Sequence, residues 1–188
     1  MNNKELLSII ENFKNKKIGV IGDLILDQFV WGDSQRISPE APVPIVLVER
    51  ETALPGGAGN VASNIAALSG EVFMVGQVGR DQAGKQLVKE LRKRGVDVSE
   101  IMQNSGRPTT QKMRVIARSQ QIVRVDKEVS DYIDANVEKR IFGNVSKNLN
   151  NWDGIVISDY AKGCITRGLV QGIKWLKTST PFCSSPFM

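Results

Sequence analysis

Pro55-Gly56-Gly57-Ala58-Gly59-Asn60-Val61-Ala62 is the stretch whose reading decides the fold. Three glycines stand within four positions, and Val61, Ala62, Ile65, Ala66, Ala67 and Leu68 follow at helical spacing. Glycine lets backbone approach a ligand closely, and a helix start adds unpaired N–H groups and the positive end of the helix dipole. Asn60 brings an amide that both donates and accepts hydrogen bonds. Such a corner suits a polyhydroxylated or phosphorylated small molecule; a simple strand-to-helix glycine turn is the structural alternative.

Working outward, residues 17–22 form a short apolar run that ends in Gly22-Asp23 and reads as a buried strand. Before it, Leu6, Leu7, Ile9, Ile10 and Phe13 are spaced for a short amphipathic helix. Residues 24–38 alternate aromatic and polar side chains, as in a strand outside the main sheet, and residues 45–48 read as another after Pro39, Pro42 and Pro44. Beyond the glycine corner come a strand at 72–78, a helix at 83–94 stopped by Gly95, and a strand at 96–102. A hairpin over 109–125 turns near 118–121, a long helix lies within 129–152, a buried strand follows at 155–158, and a last helix at 169–176. This alternation predicts an α/β fold with a mostly parallel sheet. Two helix-free segments, about 24–48 and 107–126, are expected to form a small β-sheet lid over the ligand edge, which would shield a reaction from water.

With 188 residues, 41% of them hydrophobic and 24% charged, the chain is long enough for one soluble domain with a sizeable core. Its net charge of +5 is spread along the sequence, with local clusters only at 14–17 and 89–94, so an anionic small substrate accounts for it better than nucleic acid. Histidine is absent, and the two cysteines lack metal-ligand spacing, which excludes Ser–His, Cys–His and His–metal chemistry. No apolar run approaches the roughly 20 residues that span a bilayer, and the charged N-terminal segment does not look like a signal peptide. No membrane partner is expected, and the chain reads as cytoplasmic.

In open α/β sheets ligands bind beyond the carboxyl ends of the strands, and three such ends here are polar. Asp23 and Asp27 lie four apart around an expected turn into the lid and can accept hydrogen bonds from sugar hydroxyls; a turn or cap role is the alternative. Lys112 and Arg114 alternate on one face of a lid strand, where they can clamp a phosphate or simply face solvent. Arg124 and Asp126 are expected to pair structurally. At the third end, Ser158-Asp159-Tyr160-Ala161-Lys162-Gly163 offers Asp159 to substrate and Lys162 to phosphate, or is a surface turn. The glycines also fit a loose dinucleotide fingerprint, but that motif needs a strand running straight into them, and residues 49–55 read as intervening. It also needs an acidic residue about 20 positions on, where Gln77 stands instead. A Walker-type Lys-Ser or Lys-Thr is missing after the glycines.

Taken together, Gly22-Asp23-x-x-x-Asp27, Arg36-Ile37-Ser38-Pro39-Glu40-Ala41-Pro42-Val43-Pro44, the glycine corner, Thr109-Thr110-x-Lys112-x-Arg114 and Asp159-Tyr160-x-Lys162-Gly163 resemble the ribokinase-like (PfkB-type) sugar kinases. Within that family they look most like the kinase half of bacterial heptose-7-phosphate kinase/ADP-heptose synthases, the Arg36 to Pro44 string being the most specific element. The resemblance implies a ribokinase-like three-layer sandwich with a β-sheet lid, incomplete at the C-terminus. It implies transfer of the ATP γ-phosphoryl group, with Mg2+, to the anomeric hydroxyl of D-glycero-β-D-manno-heptose 7-phosphate in ADP-heptose and lipopolysaccharide core synthesis. It further implies a homodimer formed through the lid. Asp23, Gly56, Gly57 and Asn60 would hold sugar hydroxyls; Lys112, Arg114 and Lys162 would take the 7-phosphate, and Arg36 would help close the lid.

The family's second signature, a Gly-Ala-Gly-Asp corner whose Asp is the catalytic base, does not follow Gly163, and its Asn-x-x-Glu element is missing too. The catalytic residue is therefore unknown. Residues 1–177 are expected to be the N-terminal part of a kinase domain and 178–188 an irregular tail, leaving this polypeptide alone poorly stable and nearly inactive. A noncatalytic sugar-phosphate-binding or dimerisation module, and another PfkB-type sugar or nucleoside kinase, stay open as alternatives. A dinucleotide oxidoreductase fits less well.

Overall fold

The computed structural model describes residues 2–179. At the centre lies β1 (Lys17–Gly22), whose near-continuous apolar run is what a strand covered on both faces requires. It pairs in parallel with β4 (Glu71–Gly79) on one side and β9 (Gly154–Ser158) on the other. Two short strands, β5 (Val96–Asp97) and β6 (Ile101–Asn104), lie parallel along β4. The helices are α1 (Asn3–Glu11), α2 (Ala58–Ala67), α3 (Gln82–Lys93), α4 (Ala135–Asn148) and α5 (Arg167–Ser179).

Neighbouring strand residues point to opposite faces, and this splits the core in two. Val20 and Met74 pack with Ala58, Ala62, Leu87 and Leu91 of α2 and α3. Their neighbours Ile21 and Val75 pack with Ile141, Val145, Leu169 and Ile173 of α4 and α5, along with Trp152. Helix layers thus cover both faces of the parallel sheet, as the α/β sandwich predicted.

A second sheet has the order β3-β2-β7-β8: β2 (Leu24–Ile37), β3 (Pro44–Gly57), β7 (Thr110–Ala117) and β8 (Gln120–Lys127). β2 is antiparallel to β3 and parallel to β7, and β7 and β8 form the expected hairpin. Its turn places Arg118 and Ser119 at φ 47° and 66°. Two successive positive values match the twist of the flanking strands.

Four expectations are corrected. Residues 49–55 do not intervene before the glycines; they are the second half of β3, which runs into Gly57. Glu49, Arg50 and Glu51 on an exposed lid edge hid the strand pattern. The objection to a dinucleotide site therefore rests on a different fact: this strand is antiparallel lid, not a strand of the parallel sheet. Residues 96–102 are two strands, parted where Ile101 N–H donates to the Val98 carbonyl and Ser99 N–H to the Asp97 carboxylate. Asp27 lies inside β2 rather than on a turn, because the chain enters the lid directly at Leu24. α5 reaches Ser179, past the boundary expected at 177, and the rest of the expected tail lies outside the described residues.

Candidate functional site

Asp23 follows the last residue of β1 and is 2% exposed. One carboxylate oxygen, Oδ2, accepts the N–H groups of Tyr160 (2.8 Å) and Lys162 (3.1 Å), and Oδ1 accepts that of Cys164 (3.0 Å). Its carbonyl accepts from Ala58 N–H at 2.9 Å, and its own N–H donates to the Ser158 carbonyl at 3.2 Å. One residue therefore binds the ends of β1 and β9 to the start of α2. A buried carboxylate is tolerated when such charge-assisted bonds replace water.

The glycines let the lid meet this junction. Gly57 has φ 55°, and a Cβ there would lie 2.4 Å from the Asp23 carbonyl oxygen. A Cβ on Gly56 would lie 2.1 Å from Asp27 Oδ2. Gly57 offers α2 no side-chain cap, and the Ala58 N–H is already taken by the Asp23 carbonyl, so donor capacity at this helix start rests with the first-turn amides after Ala58. Asn60 stands exposed in that first turn.

Between the lid and this corner lies a cleft of about 390 Å³. Six of the predicted residues line it: Asp27, Gly56, Gly57, Asn60, Lys112 and Arg114. Asp23, Asp159 and Lys162 do not. Asp23 is turned to the 160–164 loop, Asp159 Oδ1 accepts Ala161 N–H at 2.8 Å, and Lys162 lines a separate small cavity beside Asp23. Arg36 stands exposed toward the far end of the lid, opposite Ile45.

Phe29, Arg124 and Tyr160 also line the cleft and were given no binding role by the sequence reading. Arg124 has a specific reason for escaping notice. Counting symmetrically from the turn sets Val123 against Arg114, but a register shift between Val115 and Ile116 brings Arg124 there instead. Such a bulge flips the faces of everything beyond it.

The cations at this edge are all paired. Arg114 Nη1 lies 2.6 Å from Asp27 Oδ1, with its guanidinium 5.2 Å from the Phe29 ring centre. Lys112 Nζ lies 2.9 Å from Asp126 and 3.3 Å from Glu128; Lys162 Nζ lies 2.8 Å from Glu128. Arg124 Nε lies 3.0 Å from Asp126, so the expected structural pairing of these two is with each other. The Lys162 ammonium, followed by Lys112, holds the Glu128 carboxyl below its ordinary range, and Lys112 does the same for Asp126. Burial works against the Lys112 charge, but Asp126 and Glu128 outweigh it and raise the ammonium pKa. Four cations face three carboxylates, leaving one positive charge at the cleft edge.

Arg107 fastens the floor of this edge, donating to the carbonyls of Val129, Asp131 and Lys162. Asp81 caps α3 through Gly84 N–H (2.8 Å) and holds both the N–H (2.9 Å) and hydroxyl (2.7 Å) of Thr109 where β7 begins. Among the described residues no group of three or more His, Cys, Asp or Glu side chains is arranged to hold a metal ion.

A lid, a glycine corner and a parallel-sheet edge in this relation agree with comparisons to known proteins. The model of the pfkB family carbohydrate kinases matches residues 15–173. The chain belongs to that family. The bifunctional protein HldE of Helicobacter pylori strain J99 is 46% identical over 158 residues, covering 84% of this chain and 34% of the relative. HldE of Sulfurimonas denitrificans is 44% identical over 167 residues, covering 89% and 35%. The chain thus spans about a third of the length of the curated relatives it matches. Among solved structures, phosphofructokinase-2 from Escherichia coli superposes with a TM-score of 0.66 at 20% identity, over 87% of this chain and 51% of that one. A carbohydrate kinase from Agrobacterium tumefaciens gives 0.65 at 18%, over 87% of this chain and 50% of that one. At such identities these structures establish the ribokinase-like fold alone.

Proposed function

We propose that this chain supplies the sugar-binding part of a heptose-phosphate kinase, the whole protein transferring the ATP γ-phosphoryl group to the anomeric hydroxyl of D-glycero-β-D-manno-heptose 7-phosphate. The observation that carries this reading is the meeting of Gly56, Gly57, Asn60, Asp27, Lys112 and Arg114, from three distant segments, around one cleft. The HldE relatives favour a heptose over other sugars. Asp27 and the Asn60 amide suit adjacent hydroxyls, the helix start and the lid cations suit the 7-phosphate, and Tyr160 and Phe29 suit the apolar face of a sugar ring. Asp23 contributes by holding the 160–164 loop and the glycine corner in place, and Asp159 and Lys162 stand beside the cleft on that loop.

ATP with Mg2+ is the phosphoryl donor of the assigned reaction. The exposed valines of the other lid face, Val123 at 47% and Val125 at 54%, support the homodimer through the lid. No helix among the described residues is long and apolar enough to cross a membrane.

Isothermal titration calorimetry tests the assignment. Heptose 7-phosphate should bind at least tenfold more tightly than fructose 6-phosphate or the unphosphorylated heptose, and Asn60→Ala should weaken it. Equal affinity for all three sugars would overturn the substrate assignment.

A further inference from the structure

Lys112 belongs to lid strand β7, and Lys162 belongs to the loop after β9 of the parallel sheet. They meet through a single side chain. Glu128 lies just past the end of β8; its Oε1 is 2.8 Å from Lys162 Nζ and its Oε2 is 3.3 Å from Lys112 Nζ. A carboxylate presenting one oxygen to each of two ammonium groups has the shape in which two oxygens of a phosphate monoester would be held.

The surroundings separate Glu128 from the other carboxylates of the site. Asp126 is a cross-strand partner of Lys112 within the lid hairpin, and Asp27 holds Arg114 on the neighbouring strand. Both pair within the lid, whereas Glu128 pairs with one lysine of the lid and one of the body. The backbone beside it is fastened, since Arg107 holds the carbonyls of Val129 and Lys162 together, whereas the three side chains keep partial exposure: 27% for Glu128 and 17% for each lysine. The pairing can therefore open by side-chain rotation without movement of the chain, and it is screened by salt less than a fully exposed pair would be.

We propose that Glu128 is a placeholder anion: it occupies the seat between Lys112 and Lys162 that the substrate's phosphate takes, and its displacement makes tight binding conditional on a phosphorylated sugar. This inference rests on the assignment of the lid cations to the phosphate, extends it to Lys162 on the loop beside the cleft, and adds the residue that sets selectivity. Without substrate, the carboxylate keeps both ammonium groups gathered and prevents them from repelling one another. A neutral sugar has nothing to offer the lysines in exchange. A phosphate dianion brings two charges against one, releases Glu128 toward water, and leaves Lys112 and Lys162 bridging lid and body through the ligand. Glu128 is thus a positioning and selectivity residue that does not touch the reacting atoms.

The test is calorimetry on the full chain with heptose 7-phosphate and with unphosphorylated heptose. Glu128→Gln is expected to tighten binding of the phosphorylated sugar roughly tenfold at low salt, the effect of removing one negative charge from within about 6 Å of a dianion in water. It should leave the unphosphorylated sugar unchanged, and the gain should shrink as salt rises. Glu128→Asp keeps the charge and should restore most of the original selectivity. Lys112→Met separates this inference from the assignment beneath it. If the affinity difference between the two sugars survives Lys112→Met, the phosphate assignment fails. If Lys112→Met removes that difference while Glu128→Gln leaves phosphate-sugar binding unchanged or weaker, the placeholder role alone is refuted.

Discussion

Asp23→Ala should be among the most destabilising single substitutions in this protein, independently of any ligand. The change removes the acceptor of three N–H groups, those of Tyr160, Lys162 and Cys164. An unsatisfied buried donor costs about 1–3 kcal/mol. Cys164 is 2% exposed, so its amide bears the full penalty; the other two bonds are part-buried and water recovers part of their loss. The sum is about 3–5 kcal/mol, against total stabilities of roughly 5–15 kcal/mol for folded domains. Asp23→Asn keeps one acceptor oxygen but turns an amide donor toward N–H groups, so about half that loss is expected. Urea unfolding followed by circular dichroism measures the energy, and amide hydrogen exchange locates it, with protection falling at residues 160, 162 and 164 first. A loss below about 1 kcal/mol for Asp23→Ala, or unchanged protection at those three amides, would refute the view that this carboxylate organises the junction.

Gly57→Ala places a Cβ 2.4 Å from the Asp23 carbonyl at a positive φ of 55°; it should cost about 2–4 kcal/mol, and an unchanged thermal midpoint would contradict it. Burial, followed by the negative charge of Asp23, pushes the Cys164 thiol up to about 12. Iodoacetamide at pH 8 should therefore leave the Cys164 peptide unmodified in the native protein and alkylate it in urea, as read by mass spectrometry; equal labelling in both would overturn this. Burial favours the neutral form of Asp81, but the hydrogen bonds from Thr109 and Gly84 outweigh it and lower its pKa below 3.8. Its stabilisation is thus present above about pH 4 and lost as pH falls through the lowered value. The gap in urea midpoint between the unaltered protein and Asp81→Asn should narrow from pH 7 to pH 3, and a gap independent of pH would count against the sign worked here.

Much of this architecture can be read from local pattern. Residues 17–22 and 155–158 are apolar runs too short for helices, and both are parallel strands; the first is covered at the sheet centre, but the expected burial of the second is not met, because β9 is the last strand of its sheet and leaves Ile157 exposed. The hairpin of β7 and β8 turns where its alternation breaks, at Arg118 and Ser119. Residues 49–55 misled because Glu49, Arg50 and Glu51 face solvent along a lid strand, and exposure on both faces erases the period-two signal.

Chain order alone determined which chemical groups this protein brings: glycines before a helix, carboxylates at strand ends, alternating cations in a hairpin, and no histidine. Those are consequences of nearest-neighbour geometry, which spacing records directly. Only tertiary packing decided how the groups are shared. It turned Asp23 inward to three backbone amides, set Arg124 rather than Val123 opposite Arg114 through one bulge, and joined Lys112 to Lys162 through Glu128. Contacts between residues 34 and 137 positions apart depend on how two sheets meet, and no local period encodes that angle.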